Sequence, residues 1–293
     1  MSETFDAVVV GAGAVGLAVA ARLARPALKV AVLEKNRRHG LEMSSRSSEV
    51  IHAGLYYPAS SLKARLCTAG CRRLYKLGER GVLPTRRTGK LIIARDEAEL
   101  ARLETLLTQG RANGVEGLEL IDGRGVARLT SGVRAAAALW SPQSGIMDTE
   151  ALMNLSLHAA ENNGALVVCA AEVQRVEPQA GGYRLWLSSG EEAVSARCVV
   201  NAAGLSADRV AAMAGLDIDA LGYRLSWFKG EYFSLKRVLP PRCLVYPLPD
   251  AHGLGIHLTL DLQGRQRLGP NAFEVDRLDY TVDSAHAPQF FGG

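Results

Sequence analysis

The clearest pattern in the chain lies at its start, where an apolar run at residues 5–10 enters a glycine-rich loop at residues 11–16. An uncharged apolar stretch continues to residue 21, and a second apolar run at residues 29–33 ends on Glu34. Short apolar runs bounded by glycine predict strands, and the longer stretch between them predicts a helix. The sequence therefore predicts a strand, a loop, a helix and a second strand that ends on a carboxylate.

Each residue type in this unit suits a dinucleotide ligand. Gly11 permits a tight turn, Gly13 lets the backbone approach a diphosphate, and Gly16 lets the helix pack closely on the strand. The unpaired N–H groups and the positive dipole end of the helix would receive the diphosphate. Glu34 can accept both ribose hydroxyls and would repel the additional phosphate of NADP. We predict FAD or NAD as the ligand. A glycine-rich turn without ligand is the alternative, which the order of the elements disfavours.

The rest of the chain alternates helix and strand signals until its texture changes near residue 222. Leucines at helical spacing predict helices over residues 62–77 and 100–107, and a third helix is predicted over 149–163. Strand-like runs occur at residues 91–94, 166–169, 173–176, 183–187 and 197–200, and later at 231–235, 244–246, 256–260 and 267–269. Because Pro and Gly turns separate the later strands, they predict an antiparallel sheet.

Composition limits the class of protein and the class of partner. The chain has 293 residues and is 48% hydrophobic, which is enough for two domains. Its net charge of +4 comes from 34 basic and 30 acidic residues without a long block of one sign, so no nucleic-acid partner is expected. Its five cysteines form no CxxC pair, which predicts neither a disulfide framework nor a zinc site and favours a reducing compartment.

The apolar segment at residues 7–21 is long enough to be compared with a signal peptide or a membrane span. Glu3 and Asp6 precede it where a signal peptide carries positive charge, and Arg22 and Arg25 end it short of a full span. We therefore expect no transmembrane segment. The sequence is interpreted as that of a cytoplasmic protein, either free or attached peripherally at the inner face of a membrane.

A second set of motifs resembles a known family. Residues 44–57 read SSRSSEVIHAGLYY, and residues 61–67 read SLKARLC. Both resemble the signature of L-2-hydroxyglutarate dehydrogenases and oxidases, which are FAD-dependent members of the D-amino-acid-oxidase-like superfamily. Further matching segments are residues 87–91 (RTGKL), 144–148 (SGIMD), 200–204 (VNAAG), 229–233 (KGEYF) and 268–272 (LGPNA). The resemblance covers roughly residues 5–283 and is more specific than the glycine loop alone.

The resemblance implies FAD as a tightly held cofactor and a mixed α/β (α+β) fold. A Rossmann-like FAD-binding domain would comprise residues 1–84 and 149–215, and an antiparallel-sheet substrate domain would comprise residues 85–148 and 216–283. Family members continue past this C-terminus, whereas residues 284–293 match no family pattern. On this resemblance we expect a shortened chain with lowered stability and lowered FAD retention.

The resemblance also assigns residues to the cofactor and the substrate. The implied cofactor residues are Gly11, Ala12, Gly13, Val15, Gly16, Glu34, Lys35, Ser44, Ser45, Ser47, Val173, Ala203 and Gly204. Oxidation of a 2-hydroxy acid requires hydride loss from carbon to the flavin, a base for the hydroxyl proton, and cations for the carboxylates. His52 and His257 are the candidate bases, although a structural role is the alternative for each. The candidate substrate contacts are Arg46, Lys63, Arg87, Lys229 and Tyr57.

The leading functional hypothesis is oxidation of L-2-hydroxyglutarate to 2-oxoglutarate with FAD. An amino-acid or glycerol-3-phosphate oxidase of the same superfamily is the first alternative. An inactive remnant, suggested by the unmatched tail, is the second, and a nicotinamide dehydrogenase is the third. The electron acceptor is left open among oxygen, a quinone and a carrier protein.

Overall fold

The computed structural model describes residues 4–188, 193–249 and 255–291, and the chain divides into two compact units. The first unit comprises Met1–Ser47 and Thr149–Ser226, and the second comprises Ser48–Asp148 and Trp227–Gly293. The predicted mixed α/β fold with a Rossmann-like sheet and an antiparallel sheet is confirmed.

The described residues form strands, α-helices and short 3₁₀ helices. The strands are β1 (Thr4–Val10), β2 (Val30–Leu33), β3 (Val50–Ile51), β4 (Thr85–Arg86), β5 (Lys90–Ala94), β6 (Glu119–Asp122), β7 (Ala137–Ser141), β8 (Gly145–Met147), β9 (Leu166–Val168), β10 (Val173–Gln179), β11 (Gly182–Leu187), β12 (Ala193–Asn201), β13 (Trp227–Lys229), β14 (Phe233–Ser234), β15 (Leu244–Pro247), β16 (His257–Leu260), β17 (Gln266–Gly269) and β18 (Phe273–Val275). The α-helices are α1 (Ala14–Leu23), α2 (Leu62–Glu79), α3 (Leu100–Ala112), α4 (Gly123–Leu129), α5 (Thr149–Asn162) and α6 (Ala207–Met213). The 3₁₀ helices are Met43–Arg46, Glu97–Glu99, Gly204–Ser206 and Ser284–Phe290.

A six-stranded sheet organises the first unit, in the order β10-β11-β12-β1-β2-β9. The four strands from β12 to β9 run parallel, and β1 lies between two of them, with Val8 in register with Ala31 on one side and Val199 on the other. Residues 7–10 of β1 are all apolar and buried, as expected for a strand in a parallel sheet that is covered on both faces. Helices α1 and α5 pack together over one face, where Leu17 meets Met153 in the core.

The second unit contains a seven-stranded sheet in the order β14-β17-β16-β15-β5-β7-β6. Its neighbouring strands are antiparallel except for the parallel pair β5–β15. Alternate residues of β5 enter different cores, since Ile92 packs with α3 and Leu91 packs with α4. The predicted antiparallel sheet after residue 222 is thus extended by strands from the earlier part of the chain. The predicted strand at residues 231–235 is reduced to β14.

Residues 48–84, which were predicted with the nucleotide half, lie in the second unit. Strand β3 pairs with β8 there, and Cys71 and Tyr75 of α2 pack on Ile51. Strand pairing and side-chain packing therefore place residues 48–84 in the second unit, whereas the predicted boundary at residue 84 assigned them to the nucleotide half. The assignment of FAD and substrate to separate domains stays a prediction.

Helix α2, which was predicted from its leucine spacing, buries a face that those leucines do not define. Ser61 caps the helix, because its hydroxyl accepts a hydrogen bond from the Ala64 N–H at 3.1 Å. The buried face consists of Ala64, Thr68, Cys71 and Tyr75, at helical spacing. The predicted helix is present, but Leu62 and Leu66, two of the leucines that predicted it, are 60% and 58% exposed. Hydrogen bonds decide the difference, because Tyr75 Oη and Cys71 Sγ both donate to the carbonyl of Gln143.

Within the described ranges, no helix is both long enough and apolar enough to cross a membrane.

Two glycines of α2 provide a matched test of this packing. We expect Gly70→Ala to stabilise the protein by about 0.5–1 kcal/mol, because a Cβ there meets no atom within 4 Å and a helical glycine costs chain entropy. We expect Gly78→Ala to destabilise it, because the new Cβ would collide with the Thr85 side chain. Urea unfolding of both variants measures the two changes, and equal shifts in the same direction would contradict the packing described for α2.

Candidate functional site

The glycine loop follows β1 at the carboxyl edge of the parallel sheet, where ligands bind in this class of fold. Gly11 has a φ of +104°, and a Cβ on it would lie 2.5 Å from the carbonyl oxygen of Ala202. A Cβ on Gly16 would collide with the carbonyl oxygen of Gly11. Only glycine fits at these two positions, and the fit fixes α1 against the ends of β1 and β12.

Ser44 lies against the start of α1. Its hydroxyl accepts a hydrogen bond from the Ala14 N–H at 2.9 Å, so one of the unpaired N–H groups of the first turn is satisfied. The same oxygen lies 2.9 Å from the position of a Cβ on Gly13, the N-cap residue of the helix. Next to it, the side chain of Val15 is 69% exposed. The predicted proximity of Ser44 and the loop is therefore present in the first unit.

The carboxylate of Glu34 is buried and bound inside the protein. One oxygen accepts from the Ala12 N–H at 2.8 Å, and the other accepts from the backbone and side-chain amides of Asn36 at 2.9 and 2.8 Å. These three bonds use most of the roughly four acceptor sites of a carboxylate. Glu34 thus fastens the end of β2 to the glycine loop. The predicted double contact with a ribose stays a prediction, and these internal bonds compete with it.

The other predicted cofactor residues fall into two groups. Ala203 belongs with the loop, because its Cα lies 3.3 Å from a Cβ built on Gly11. Gly204, the next residue, starts a 3₁₀ helix with a φ of +55°. The remaining residues make local contacts of their own: Lys35 pairs with Glu42 at 3.1 Å, the Ser45 hydroxyl donates to the Glu42 carbonyl at 3.0 Å, the Ser47 and Thr149 hydroxyls lie 3.1 Å apart, and Val173 is buried at the start of β10.

A second candidate site is a buried cluster of titratable groups in the second unit. Lys90, Tyr246 and His257 come from the neighbouring strands β5, β15 and β16. The Tyr246 ring stacks on the His257 imidazole with centroids 3.8 Å apart, and the Lys90 ammonium lies 4.0 Å from the Tyr246 centroid. Lys90 also lies 5.2 Å from the ring centroid of Tyr56. His52, which follows β3, is close enough for Lys90 and His257 to lower its pKa.

Hydrogen bonds fix the orientation of His257. Its Nδ1 lies 2.8 Å from the Gly255 carbonyl, which can only accept, so Nδ1 carries the proton. Nε2 is then the unprotonated nitrogen, and the Tyr232 hydroxyl lies 3.5 Å from it. In His52, by contrast, Nδ1 is buried and has no partner among the described residues. His257 therefore presents an oriented proton acceptor.

Burial dominates the electrostatics of this cluster. Burial, with the nearby Lys90 charge, lowers the pKa of His52 to about 3. Burial, opposed by the Gly255 bond and assisted by Lys90, lowers the pKa of His257 to about 4. Burial also lowers the pKa of Lys90 to about 7. Both imidazoles are thus neutral at neutral pH, and the lysine is poised between its two forms.

Sequence reasoning missed Lys90 as a site residue. The matching segment RTGKL contains it, but only the neighbouring Arg87 was considered as an anion ligand. Lys90 is fully buried, and its Nζ has no hydrogen-bond partner among the described residues. A lysine that opens an otherwise apolar strand, KLIIA, was the available signal.

The predicted anion ligands already have partners. Arg46 donates to the carbonyls of Leu41 and Glu42 in its own loop. Arg87 lies over the Tyr75 ring and pairs with Glu79 at 3.3 Å, and Lys229 pairs with Asp279 at 2.8 Å. Lys63 is exposed near the start of α2, 4.7 Å from the centroid of the Tyr57 ring. The substrate contacts of these four cations stay predictions.

Comparison with known proteins identifies the family. The family described as FAD dependent oxidoreductase (DAO) matches residues 6–291. The chain belongs to this family. The cofactor of the family is FAD, and the first unit fits it, because the first turn of α1 presents backbone N–H groups just after the glycine loop, with Gly13 as the N-cap residue.

The predicted resemblance to L-2-hydroxyglutarate dehydrogenases is also confirmed. The chain is 34% identical to the mitochondrial L-2-hydroxyglutarate dehydrogenase of Arabidopsis thaliana, with 99% of this chain and 68% of that protein covered. It is 36% identical to the Caenorhabditis elegans enzyme and 33% identical to the human enzyme, covering 92% of this chain and 63% and 61% of those proteins. The chain thus spans about two thirds of the length of these curated relatives.

These relatives correct one prediction. The expected cytoplasmic location is wrong on this comparison, because the plant, nematode and human relatives are named as mitochondrial enzymes.

Solved structures share the fold. The L-alpha-glycerophosphate oxidase of Mycoplasma pneumoniae, solved with FAD bound, superposes with a TM-score of 0.89 at 25% identity, covering 99% of this chain and 77% of that one. The glycine oxidase of Geobacillus kaustophilus superposes with a TM-score of 0.80 at 22% identity, covering 99% of this chain and 77% of that one. At that lower identity the second likeness concerns the fold alone.

Two substitutions separate FAD binding from folding. We expect Gly13→Ala to fold, because its Cβ meets only the Ser44 hydroxyl, which can rotate, but to retain less flavin because the backbone is less accessible. We expect Gly16→Ala to lose both stability and flavin, because its Cβ collides with backbone. Visible flavin absorbance per protein and thermal unfolding measure the two effects. Recovery of flavin in Gly13→Ala/Ser44→Ala would show that the displaced Ser44, not lost access, caused the defect.

The buried lysine makes a prediction about pH. Lys90 titrates at about 7 in the folded protein and near 10.5 when unfolded, so the unfolded chain binds more protons between these values. The free energy of unfolding should therefore rise with pH across this window by up to about 1.4 kcal/mol per pH unit. Below the window, where Lys90 is charged in both states, the full destabilisation by the buried charge should be present. We expect Lys90→Met to remove this slope and to be more stable at neutral pH. Urea unfolding across the window checks this, with the exposed Lys76→Met as control. Parallel pH profiles for wild type and Lys90→Met would contradict the prediction.

Proposed function

We propose that this chain oxidises L-2-hydroxyglutarate to 2-oxoglutarate. The observation that carries the proposal is its 34% identity to an L-2-hydroxyglutarate dehydrogenase over 99% of its own length. Since the chain spans only part of the relatives' length, the activity of the whole enzyme is a proposal for this chain. Bound FAD supplies the acceptor for the hydride that leaves the substrate carbon.

The buried cluster of the second unit supports the proton-transfer half of this reaction. A base must accept the hydroxyl proton as the hydride leaves, and it must be unprotonated beforehand. His257 meets this condition, because its pKa is lowered and its Nδ1–H bond to Gly255 leaves Nε2 free to accept a proton. His52 is neutral for the same reason of burial. We assign His257 as the base and His52 as a second candidate.

A dicarboxylate substrate also requires cations. Of the four predicted from sequence, Lys63 acts on His52 electrostatically and lies at the Tyr57 ring, so Lys63 and Tyr57 are proposed as substrate contacts. Arg46, Arg87 and Lys229 would have to exchange their present partners to bind an anion, and we assign them lower priority.

A glycerol-3-phosphate oxidase is the second candidate function. The structural likeness to the Mycoplasma pneumoniae oxidase, with a TM-score of 0.89, favours it over other members of the superfamily. The two candidates differ in substrate chemistry, since one substrate carries two carboxylates and the other a phosphate. The acceptor of the electrons, whether oxygen, a quinone or a carrier protein, stays open.

The visible spectrum of the purified, FAD-loaded protein tests the proposal. Anaerobic addition of L-2-hydroxyglutarate should bleach the flavin bands, whereas the D-enantiomer should leave them unchanged. Bleaching by glycerol 3-phosphate alone would favour the second candidate. A flavin spectrum that no 2-hydroxy acid changes would overturn the proposed function.

Variants of the histidines test the base assignment. In His257→Asn the side-chain amide can still donate to the Gly255 carbonyl, but the basic Nε2 is gone. We expect kcat for flavin reduction to fall by about 10²- to 10⁴-fold, as for loss of a general base, with flavin content unchanged. Tyr232→Phe is the matched control, since it removes the hydroxyl that lies 3.5 Å from Nε2 and that also bonds to Ser48, but keeps the basic nitrogen of His257. Full activity of a His52→Asn/His257→Asn double variant would refute both assignments.

A further inference from the structure

Lys90 is a buried cation for which the described chain provides no counter-charge. Its side chain is fully buried at the start of β5, beside Leu244 of β15 and Ser141 of β7. Its Nζ has no hydrogen-bond partner among the described residues, and no ion pair to a described carboxylate involves it. A buried ammonium normally has a partner, because burial removes its hydration and an unpaired charge recovers nothing in exchange.

The groups that face Lys90 do not supply a negative charge. Tyr56 and Tyr246 present their rings to Nζ at 5.2 and 4.0 Å, and burial raises the pKa of each phenol, so both are neutral. Cys67 also faces it, and burial raises the pKa of that thiol. Among the described residues, the Lys90 charge also reaches the imidazoles of His52 and His257, which are neutral. Lys63 on α2, which acts on the same His52, is a second cation and not a counter-charge. A ring face attracts a cation but does not neutralise it.

The location of this unpaired cation matters because it shares its surroundings with both candidate bases. The Lys90 ammonium contacts the same Tyr246 ring on which His257 stacks, and its charge reaches both imidazoles. In a 2-hydroxy acid, the C1 carboxylate is bonded directly to the carbon that carries the hydroxyl. A base that reaches the hydroxyl therefore lies within a few ångströms of that carboxylate.

We propose that Lys90 binds the C1 carboxylate of the 2-hydroxy acid and so holds the hydroxyl carbon beside the His52 and His257 imidazoles. This inference rests on the proposed function and adds to it the residue that positions the reacting end of the substrate. The incoming carboxylate supplies the missing counter-charge. It also requires the charged form of Lys90, so ligand binding above neutral pH must be accompanied by proton uptake.

The test uses the FAD-loaded protein and 2-oxoglutarate, the product, which binds without being oxidised. Titration calorimetry at pH 8 in buffers of different ionisation enthalpy gives both affinity and proton uptake. With a free-protein pKa of about 7, about 0.9 proton should be taken up per ligand by wild type. A parallel titration uses 2-oxopentanoate, which keeps the C1 carboxylate but lacks the second one.

Three variants complete the experiment. Lys90→Met should bind both ligands about 10- to 100-fold more weakly and without proton uptake, as expected for loss of a charge-assisted contact. Lys90→Arg, whose guanidinium is always charged, should bind both ligands without proton uptake. If Lys90→Met loses its flavin, the proton uptake measured for Lys90→Arg decides whether Lys90 is the group that takes up the proton. Lys76→Met, which changes an exposed lysine of the same unit, should behave like wild type.

Two results would overturn the inference while leaving the proposed function intact. In one, Lys90→Met binds both ligands within twofold of wild type while wild-type flavin is bleached by L-2-hydroxyglutarate. In the other, only 2-oxoglutarate binding is weakened, which would place Lys90 at the second carboxylate. Wild-type protein that neither binds 2-oxoglutarate nor is bleached by L-2-hydroxyglutarate would overturn the proposed function and this inference with it.

Discussion

The close approach of backbone to backbone at the glycine loop is the constraint on which the first unit depends. Gly11 lies against the Ala202 carbonyl, and Gly16 lies against Gly11, so α1 is held at the ends of β1 and β12 without any side chain between them. Glu34 adds a buried carboxylate that bonds the loop to β2. The N-terminus of α1 is therefore rigidly presented, which is what binding of a diphosphate requires.

The second unit depends on a different effect, the removal of polar groups from water. Lys90, Tyr246 and His257 come from adjacent strands of a mixed sheet, in which β5 and β15 are parallel and β15 and β16 are antiparallel. Burial shifts each of their pKa values toward the neutral form. This arrangement opposes stability, because an uncompensated lysine in a core is unfavourable. Such local costs are typical of sites that bind charged ligands. The same burial that destabilises the free protein keeps the His257 imidazole neutral at neutral pH.

Much of the fold could be predicted from the sequence, because the signals for these elements lie within short segments of the chain. The strand, loop, helix and strand at the start of the chain, the strand at residues 91–94 and the helix at 149–163 all have strong apolar patterns or turn signals, and each has a counterpart in the structure. Helix α2 shows where this approach ends. Leucine spacing predicted the helix but not its buried face, which includes Thr68, Cys71 and Tyr75. Two of these side chains donate hydrogen bonds to the carbonyl of Gln143, a residue distant along the chain.

The sequence by itself determined the family, the glycine loop, and which histidines and cations are candidates for proton transfer and anion binding. All of these are carried by short contiguous motifs. Tertiary structure alone decided which of those residues meet. It joined β5 to β15 across some 150 residues of chain, and so placed Lys90 beside Tyr246 and His257. It also gave Arg46, Arg87 and Lys229 partners that their motifs did not reveal. The physical reason is that pairing and desolvation depend on neighbours that are distant along the chain, which no local pattern records.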